Sequence, residues 1–429
     1  MTRMLIVWFI LVLVASPAAA ATVTLEQALK RALQANPSIA RAQADVEAAR
    51  AQRRLARSAI LPRVDLEASG TRNEREIAFD LGGSTMAFQP RQDWSTRLVL
   101  RQPLYVGGRE FKAIRQTALT IGVAEAASDS TEETILLRTA SDYLSLVEAD
   151  ALIDVEHQNV DVSCARRKQA EHMLKAGEFT KVDVLRAEAA QKAAERQLAA
   201  AEQQRKEAES HLRLDLALDE EIIAVPPAFA LPPVPGIEEL TTASFASHPE
   251  LKRAAASLDI ARLETRKQHG AYLPIVMLNA AVTRQRAAFP SNESRAVGVS
   301  LHVPIFDSGE IASRIAVAGE HEKQAAASAN EARQAIREEI VRSVAGLETA
   351  RKSFELAQEQ LAAAEGQYQQ ISSLYRSQEA TSLDIDTAEG ARAEARRAVV
   401  IGSLQTKLAE LRVWFAAGSL KPTLLSKEH

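Results

Sequence analysis

Cys164 is the only cysteine in this 429-residue chain. That excludes an intramolecular disulfide framework and any paired-cysteine metal site. Aromatic residues make up only 4% of the chain, a poor match for a large globular core. Beyond the first twenty residues no run of about 18 apolar residues occurs, so no membrane-spanning helix is expected there. A basic excess is also missing. Lys and Arg number 52 against 56 Asp and Glu, a formal charge of −4, which argues against a nucleic-acid partner. There is no Gly-rich phosphate loop, HExxH or nucleophile elbow. The eight histidines are scattered, and His157 and His172 read as solvated. The acidic pairs Glu132-Glu133 and Glu338-Glu339 read as exposed helix faces. No catalytic residue, cofactor or metal site is expected, and an enzyme is not the reading.

What is present begins at the N-terminus. Arg3 is followed by the apolar run Met4 to Val14 and by the small-residue stretch Ala15 to Ala20. This is a secretory signal pattern with cleavage expected after Ala20. The apolar run is too short to span a bilayer, and no cysteine follows the cleavage site to carry a lipid anchor. Alanine is abundant, which suits long helices packed closely through small side chains.

The chain also repeats itself. At an offset of 212, Asn36-Pro37 falls on His248-Pro249 and Leu61-Pro62 on Leu273-Pro274. Later the offset is 201: Pro103-Leu104-Tyr105 falls on Pro304-Ile305-Phe306, and Thr180 and Asp183 fall on Thr381 and Asp384. The difference lies where segment 73–92 is longer than 285–293, as expected of loops. The expected division is a signal peptide at 1–20, a first repeat at 21–218, a linker at 219–240, a second repeat at 241–418 and a tail at 419–429. The linker holds Pro226, Pro227, Pro232, Pro233 and Pro235 and is expected to be extended.

Each repeat opens on a helix. Thr24 and Gln27 make a capping box, that helix is expected to run to about Ile60, and the Asn36-Pro37 and His248-Pro249 steps break it. Strands are expected at about 62–72, 94–104, 274–284 and 296–306, from period-two alternation such as Val64, Leu66 and Ala68 against Asp65, Glu67 and Ser69. Each is about 11 residues, the length of a tilted bilayer-crossing strand. A half-buried sheet in a soluble domain has the same alternation. Secretion, the sparse core and the duplication favour membrane strands.

Long helices follow at about 109–175 and 310–376, each extending roughly 100 Å at about 1.5 Å per residue. In the second, Ile340, Leu347, Phe354, Leu361, Tyr368 and Tyr375 recur every seven residues, a coiled-coil seam. The first keeps Leu146, Ile153, Val160 and Leu174, with Arg167 as an interruption. Shorter helices, at about 181–217 and 382–417, close the repeats.

Four strands cannot close a barrel, and an open edge cannot be left in lipid. A membrane barrel must therefore be shared between subunits. Eight strands leave an interior filled by side chains, so a conducting pore favours three or more protomers.

These features, with Gln102 to Gly108, Val303 to Gly309, Gly177 to Leu185 and Thr381 to Ile385, resemble the TolC-like outer membrane factor family over nearly the whole chain after residue 20. No single motif is specific; their duplicated order is. The resemblance implies an α+β membrane protein. It would be a homotrimer whose twelve-stranded transmembrane β-barrel, four strands from each protomer, continues as a long periplasmic α-helical barrel. It further implies a Gram-negative outer membrane as the location and its lipid as surroundings. The expected partners are a periplasmic membrane-fusion adaptor and an inner-membrane pump of the RND, ABC or MFS type. Substrates of tripartite efflux or type I secretion would pass through the lumen without chemistry.

At the turns, Gly177 reads as a helix C-cap. Thr180 and Thr381 read as N-caps, with Asp183 and Asp384 at the third helical position. The resemblance makes Asp384, and less directly Asp386, candidates for a carboxylate ring at a periplasmic aperture. Thr387 stands where the family has a second aspartate. It also makes Gly177, Thr180, Asp183, Ser377 and Thr381 candidate adaptor contacts, with Ser377 and Gln378 standing where the first turn has Gly177 and Glu178. The competing reading is a periplasmic coiled-coil adaptor or scaffold without a pore.

Overall fold

The computed structural model describes residues 21–425 apart from 83, 227–230, 287–292 and 378; the expected cleavage site after Ala20 lies outside them. In chain order the elements of the first half are β1 (Ala21–Val23), α1 (Leu25–Ala35), α2 (Pro37–Ser58), β2 (Arg63–Arg72), β3 (Ile77–Leu81), β4 (Ser84–Gln89), β5 (Gln92–Val106), α3 (Arg109–Lys175) and α4 (Lys181–Leu216). The second half holds β6 (Ile222–Ala224), α5 (Ile237–Ser247), α6 (Pro249–His269), β7 (Ile275–Gln285), β8 (Glu293–His302), α7 (Glu310–Arg376), α8 (Ser382–Ala416) and α9 (Leu420–Leu425).

Local chemistry sets the helix ends. The Thr24 hydroxyl accepts from the Gln27 amide at 3.3 Å and the Gln27 side chain accepts from the Thr24 amide at 3.0 Å, a reciprocal capping box. Pro37 occupies the first position of α2, where its missing N–H costs nothing, and the Asn36 side chain accepts from the Ser38 amide at 2.9 Å. In the second repeat, His248 Nδ1 accepts from the Glu250 amide at 3.2 Å next to Pro249.

The chain forms two compact units, and each draws on both repeats. The sequence repeats and the compact units therefore differ, because each long helix contributes to both units. One unit comprises residues 21–39, Glu132–Thr241 and 339–425. Its core gathers Leu29, Leu136, Leu146, Leu212, Leu216, Leu411 and Leu420. Here β1 and β6 pair in parallel, Thr22 opposite Ile223. Buried Tyr143 ties β1 to the residue that follows β6, its hydroxyl 3.0 Å from the Val23 carbonyl and 2.6 Å from that of Val225. The α7 seam turns inward at Ile340, Leu347 and Tyr375, whereas Leu174 of the first seam is exposed.

The other unit, Ala40–Thr131 and Thr242–Glu338, holds an antiparallel sheet of order β2-β5-β7-β8. Leu66 lies opposite Leu98, Leu98 opposite Val282, and Leu278 opposite Val299. A register shift between Pro103 and Tyr105 marks a bulge at Leu104. Gly107, at φ +67°, abuts the Gly270 backbone, which only a residue without Cβ permits.

Several expectations need correction. The last strand spans Glu293–His302, not 296–306; Val303 to Phe306 carry no ladder in the single chain. Segment 73–92 contains the β3–β4 hairpin, and α5 begins at Ile237 inside the expected linker. The C-terminal tail contains α9. Glu133 is buried, not exposed: its carboxylate accepts from the Leu420 and Lys421 amides at 3.0 and 3.1 Å, capping α9. Glu338 and Glu339 are exposed as expected.

Candidate functional site at the helix turns

Helix α3 ends in a Schellman closure. The Gly177 amide donates to the Leu174 carbonyl at 3.0 Å and the Glu178 amide to Met173 at 3.0 Å, with Gly177 at φ +80°. The second turn has the same long bond, from the Glu379 amide to Leu374 at 2.8 Å. Glu379 is thus the counterpart of Glu178, which moves the expected alignment by one residue. The glycine's counterpart is Gln378, which lies outside the described residues.

Both following helices carry capping boxes. The Thr180 amide and hydroxyl donate to the Asp183 carboxylate at 3.0 and 2.7 Å, and those of Thr381 donate to Asp384 at 2.9 and 2.6 Å. These bonds hold both carboxyls below their ordinary range. For Asp183 the Thr180 hydroxyl leads, followed by Ser382; for Asp384 the Thr381 hydroxyl leads. Gly177, Thr180, Ser377, Thr381 and Asp384 are exposed and Asp183 is half-buried.

Asp386 sits differently. It is ion-paired with the buried guanidinium of Arg166 on α3, Nη1 to Oδ1 at 2.6 Å. The same nitrogen reaches Glu389 at 2.7 Å, and Nη2 donates to the Ser382 carbonyl at 2.9 Å. The Tyr375 ring lies 5.8 Å from this guanidinium and 5.8 Å from the Phe179 ring. Burial raises the pKa of Glu389 against the pull of Arg166. Farther along the bundle, Arg397 pairs with buried Glu156 at 2.7 Å, and Arg392 stacks over Tyr368 at 3.6 Å. Glu156, Asp386, Glu389, Arg392 and Arg397 line a groove of about 430 Å³ between α3, α4 and α8, together with Ala190, Ala193 and Ala194. Among the described residues no acidic, histidine or cysteine group has the clustering of a metal site.

Sequence reasoning found the caps but missed Arg166, Ser382 and Glu389. Arg166 had one signal, a second arginine beside the seam-breaking Arg167. Its partners lie more than two hundred residues away and no spacing rule reaches them.

A bundle of paired long helices with a four-stranded antiparallel sheet invites comparison with known channels. The model of the outer membrane efflux protein family matches residues 28–217 and 241–419. The chain belongs to this family. The two matched segments correspond to the two repeats, and the protein is one of the outer membrane. Among relatives, it is 22% identical over 288 residues to the outer membrane efflux protein BepC of Brucella suis, covering 66% of this chain and 63% of BepC. The match therefore spans somewhat less than two thirds of that relative. Among solved structures, CusC, described in terms of transmembrane channel formation, superposes with a TM-score of 0.81 at 17% identity, covering 95% of this chain and 96% of CusC. The outer membrane protein VceC of Vibrio cholerae gives 0.77 at 20% identity, with 92% and 96% covered. At these identities the superpositions establish the shared fold, a helical bundle with a small β-sheet.

Proposed function

We propose that three copies of this chain form the outer-membrane duct of a tripartite export system, with the sheet in the bilayer and the helix turns at the periplasmic end. The family match over both repeats carries the reading. A four-stranded sheet with two open edges supports the sharing of one barrel. The duct conducts passively, and no residue performs chemistry. A membrane-fusion adaptor docks at the turns through Gly177, Thr180, Asp183, Ser377 and Thr381, and an RND, ABC or MFS-type pump supplies the substrate. Asp384, exposed at the start of α8, is the stronger candidate for a carboxylate ring at the aperture. Asp386 contributes less charge because Arg166 neutralises it within the chain.

The test is to purify the protein from alkali-washed outer membrane and measure the detergent-corrected particle mass. A trimer that conducts in planar bilayers is the expected result. A salt-extractable monomer would overturn the reading.

A further inference from the structure

The apolar face of the four-stranded sheet ends differently at its two ends. Strand residues two apart share a face, so the ladder sorts the side chains into rows. One row across the sheet is Leu66, Leu98, Val282 and Arg295, each opposite the next. The row toward the helices is Val64, Leu100, Ala280 and Val297, wholly apolar. The row toward the hairpins is Ala68, Thr96, Arg284 and Glu293. Beyond it Trp94 lies opposite Gly70, and Arg72 closes β2 on the same face. Arg286 extends β7, its amide donating to the Trp94 carbonyl at 3.0 Å. On this face the hairpin end therefore carries Arg72, Arg284, Arg286 and Arg295 against the single carboxylate of Glu293. Past the strand ends Arg75 and Arg91 balance Glu74 and Glu76. An arginine on a lipid-facing barrel surface is costly at the midplane and tolerated near an interface.

Glu293 holds two of these arginines side by side. Its Oε1 accepts from Nε and Nη2 of Arg295 at 3.0 and 2.7 Å, and its Oε2 accepts from Nε of Arg284 at 3.2 Å. A guanidinium carries more donors than one such carboxylate engages. Both forks stay open to a further acceptor, with the Arg284 and Arg295 side chains 71% and 78% exposed. Arginines of the other face are matched differently. Arg63 and Arg101 both pair with Asp65, at 2.9 and 2.8 Å, beside Glu67. The rim of the apolar face is thus where positive charge is left over. Below it lie Trp94, an aromatic suited to a membrane interface, and the apolar rows.

We propose that Arg72, Arg284, Arg286 and Arg295 bind the phosphate groups of the glycolipid that forms the outer leaflet, with its acyl chains lying on the apolar rows below. Guanidinium forks match phosphate oxygens in charge and in bidentate geometry. An apolar face directly beneath them suits a phosphate carried on a lipid and offers nothing to a free phosphate ion. The inference rests on the duct reading, which sets the hairpin ends at the outer leaflet, and adds to it a lipid site of defined chemistry.

The test titrates the purified full-length protein, in neutral detergent, with bisphosphorylated lipid A and counts bound lipid by native mass spectrometry. Wild type should bind it about tenfold or more tightly than dephosphorylated lipid A, and Arg284→Gln with Arg295→Gln should lose about tenfold or more of that affinity. The Arg284→Lys, Arg295→Lys variant keeps the charge without the fork and should fall between. Arg72→Gln leaves the Glu293 clamp intact and should also weaken binding, so a folding fault in the double variant does not decide the matter. Arg97→Gln, on the other face opposite Glu67, should bind as wild type does. Equal affinity in wild type and the double Gln variant, or an equal loss from Arg97→Gln, would overturn the site. Displacement of lipid A by inorganic phosphate at matching concentration would overturn the lipid assignment in favour of an anion site. A trimer that binds both forms of lipid A alike would overturn the site alone, whereas a salt-extractable monomer would overturn the duct reading with it.

Discussion

Asp183 and Ser382 meet between the two helix turns, the serine hydroxyl donating to the carboxylate at 2.8 Å. The same carboxylate caps its own helix through Thr180. One group thus closes α4 and ties it to the first residue of α8, a double duty that Asp384 does not share. Asp183→Ala should cost about 1 kcal/mol of capping and also release Ser382. Amide exchange should quicken in the first turn of α4 and at the start of α8 alike. Asp384→Ala should quicken exchange in α8 alone. A double-mutant cycle with Ser382→Ala isolates the tie.

Removing Arg166 strands two carboxylates. Asp386 and Glu389 are both held by that guanidinium, and breaking a buried ion pair from one side typically costs about 3–5 kcal/mol. Arg166→Met should lower the thermal midpoint in detergent and expose the turns to protease. Adding Asp386→Asn and Glu389→Gln should restore much of the loss, since the stranded charges then disappear.

Asp384→Ala should raise single-channel conductance or weaken block by multivalent cations if its carboxylates ring the aperture. Asp386→Asn should change selectivity less. Identical currents for wild type and Asp384→Ala would remove Asp384 from the pore.

Acidity acts through Asp142. Burial first, then the negative charge of Asp215, push its carboxyl up to about 6. The folded chain therefore binds this proton more tightly than the unfolded chain does. Its stabilising contribution is present below the unfolded value of about 3.9 and is lost as pH rises through about 6. Asp142→Asn should raise the melting temperature at pH 7 more than at pH 5, flattening the profile between them. An equal effect at both pH values would show that the carboxyl is not proton-sensitive.

At the strand–helix junction, Gly107→Ala would place a Cβ 2.2 Å from the Gly270 carbonyl oxygen in a left-handed backbone. Outer-membrane yield should fall steeply. Gly122→Ala in α3 has nothing within 4 Å to meet and should leave yield unchanged or raised, because alanine favours helix.

Features set by near neighbours were legible in the sequence. Both 67-residue helices announce their ends through Gly108 and Gly309 before them and the threonine caps after them. Period-two alternation marked three of the four sheet strands closely. The fourth was overextended because its last residues have a strand's composition but no partner within the chain. Glu133 read as solvent-facing because its donors belong to α9, nearly three hundred residues later. The Arg166 cluster was hidden for the same reason. What pattern reading lost were contacts that exist only once distant segments have met.

The pairing of β5 with β7 also has a consequence in time. Leu98 waits for Val282, so β2 and β5 are synthesised long before the strand that covers the β5 edge. That edge stays open until nearly two hundred further residues have been delivered. Such long-range closure is slow and invites pairing with the wrong chain. Overproduction should therefore favour mispairing of the half-built sheet, seen as aggregation before the sheet is complete.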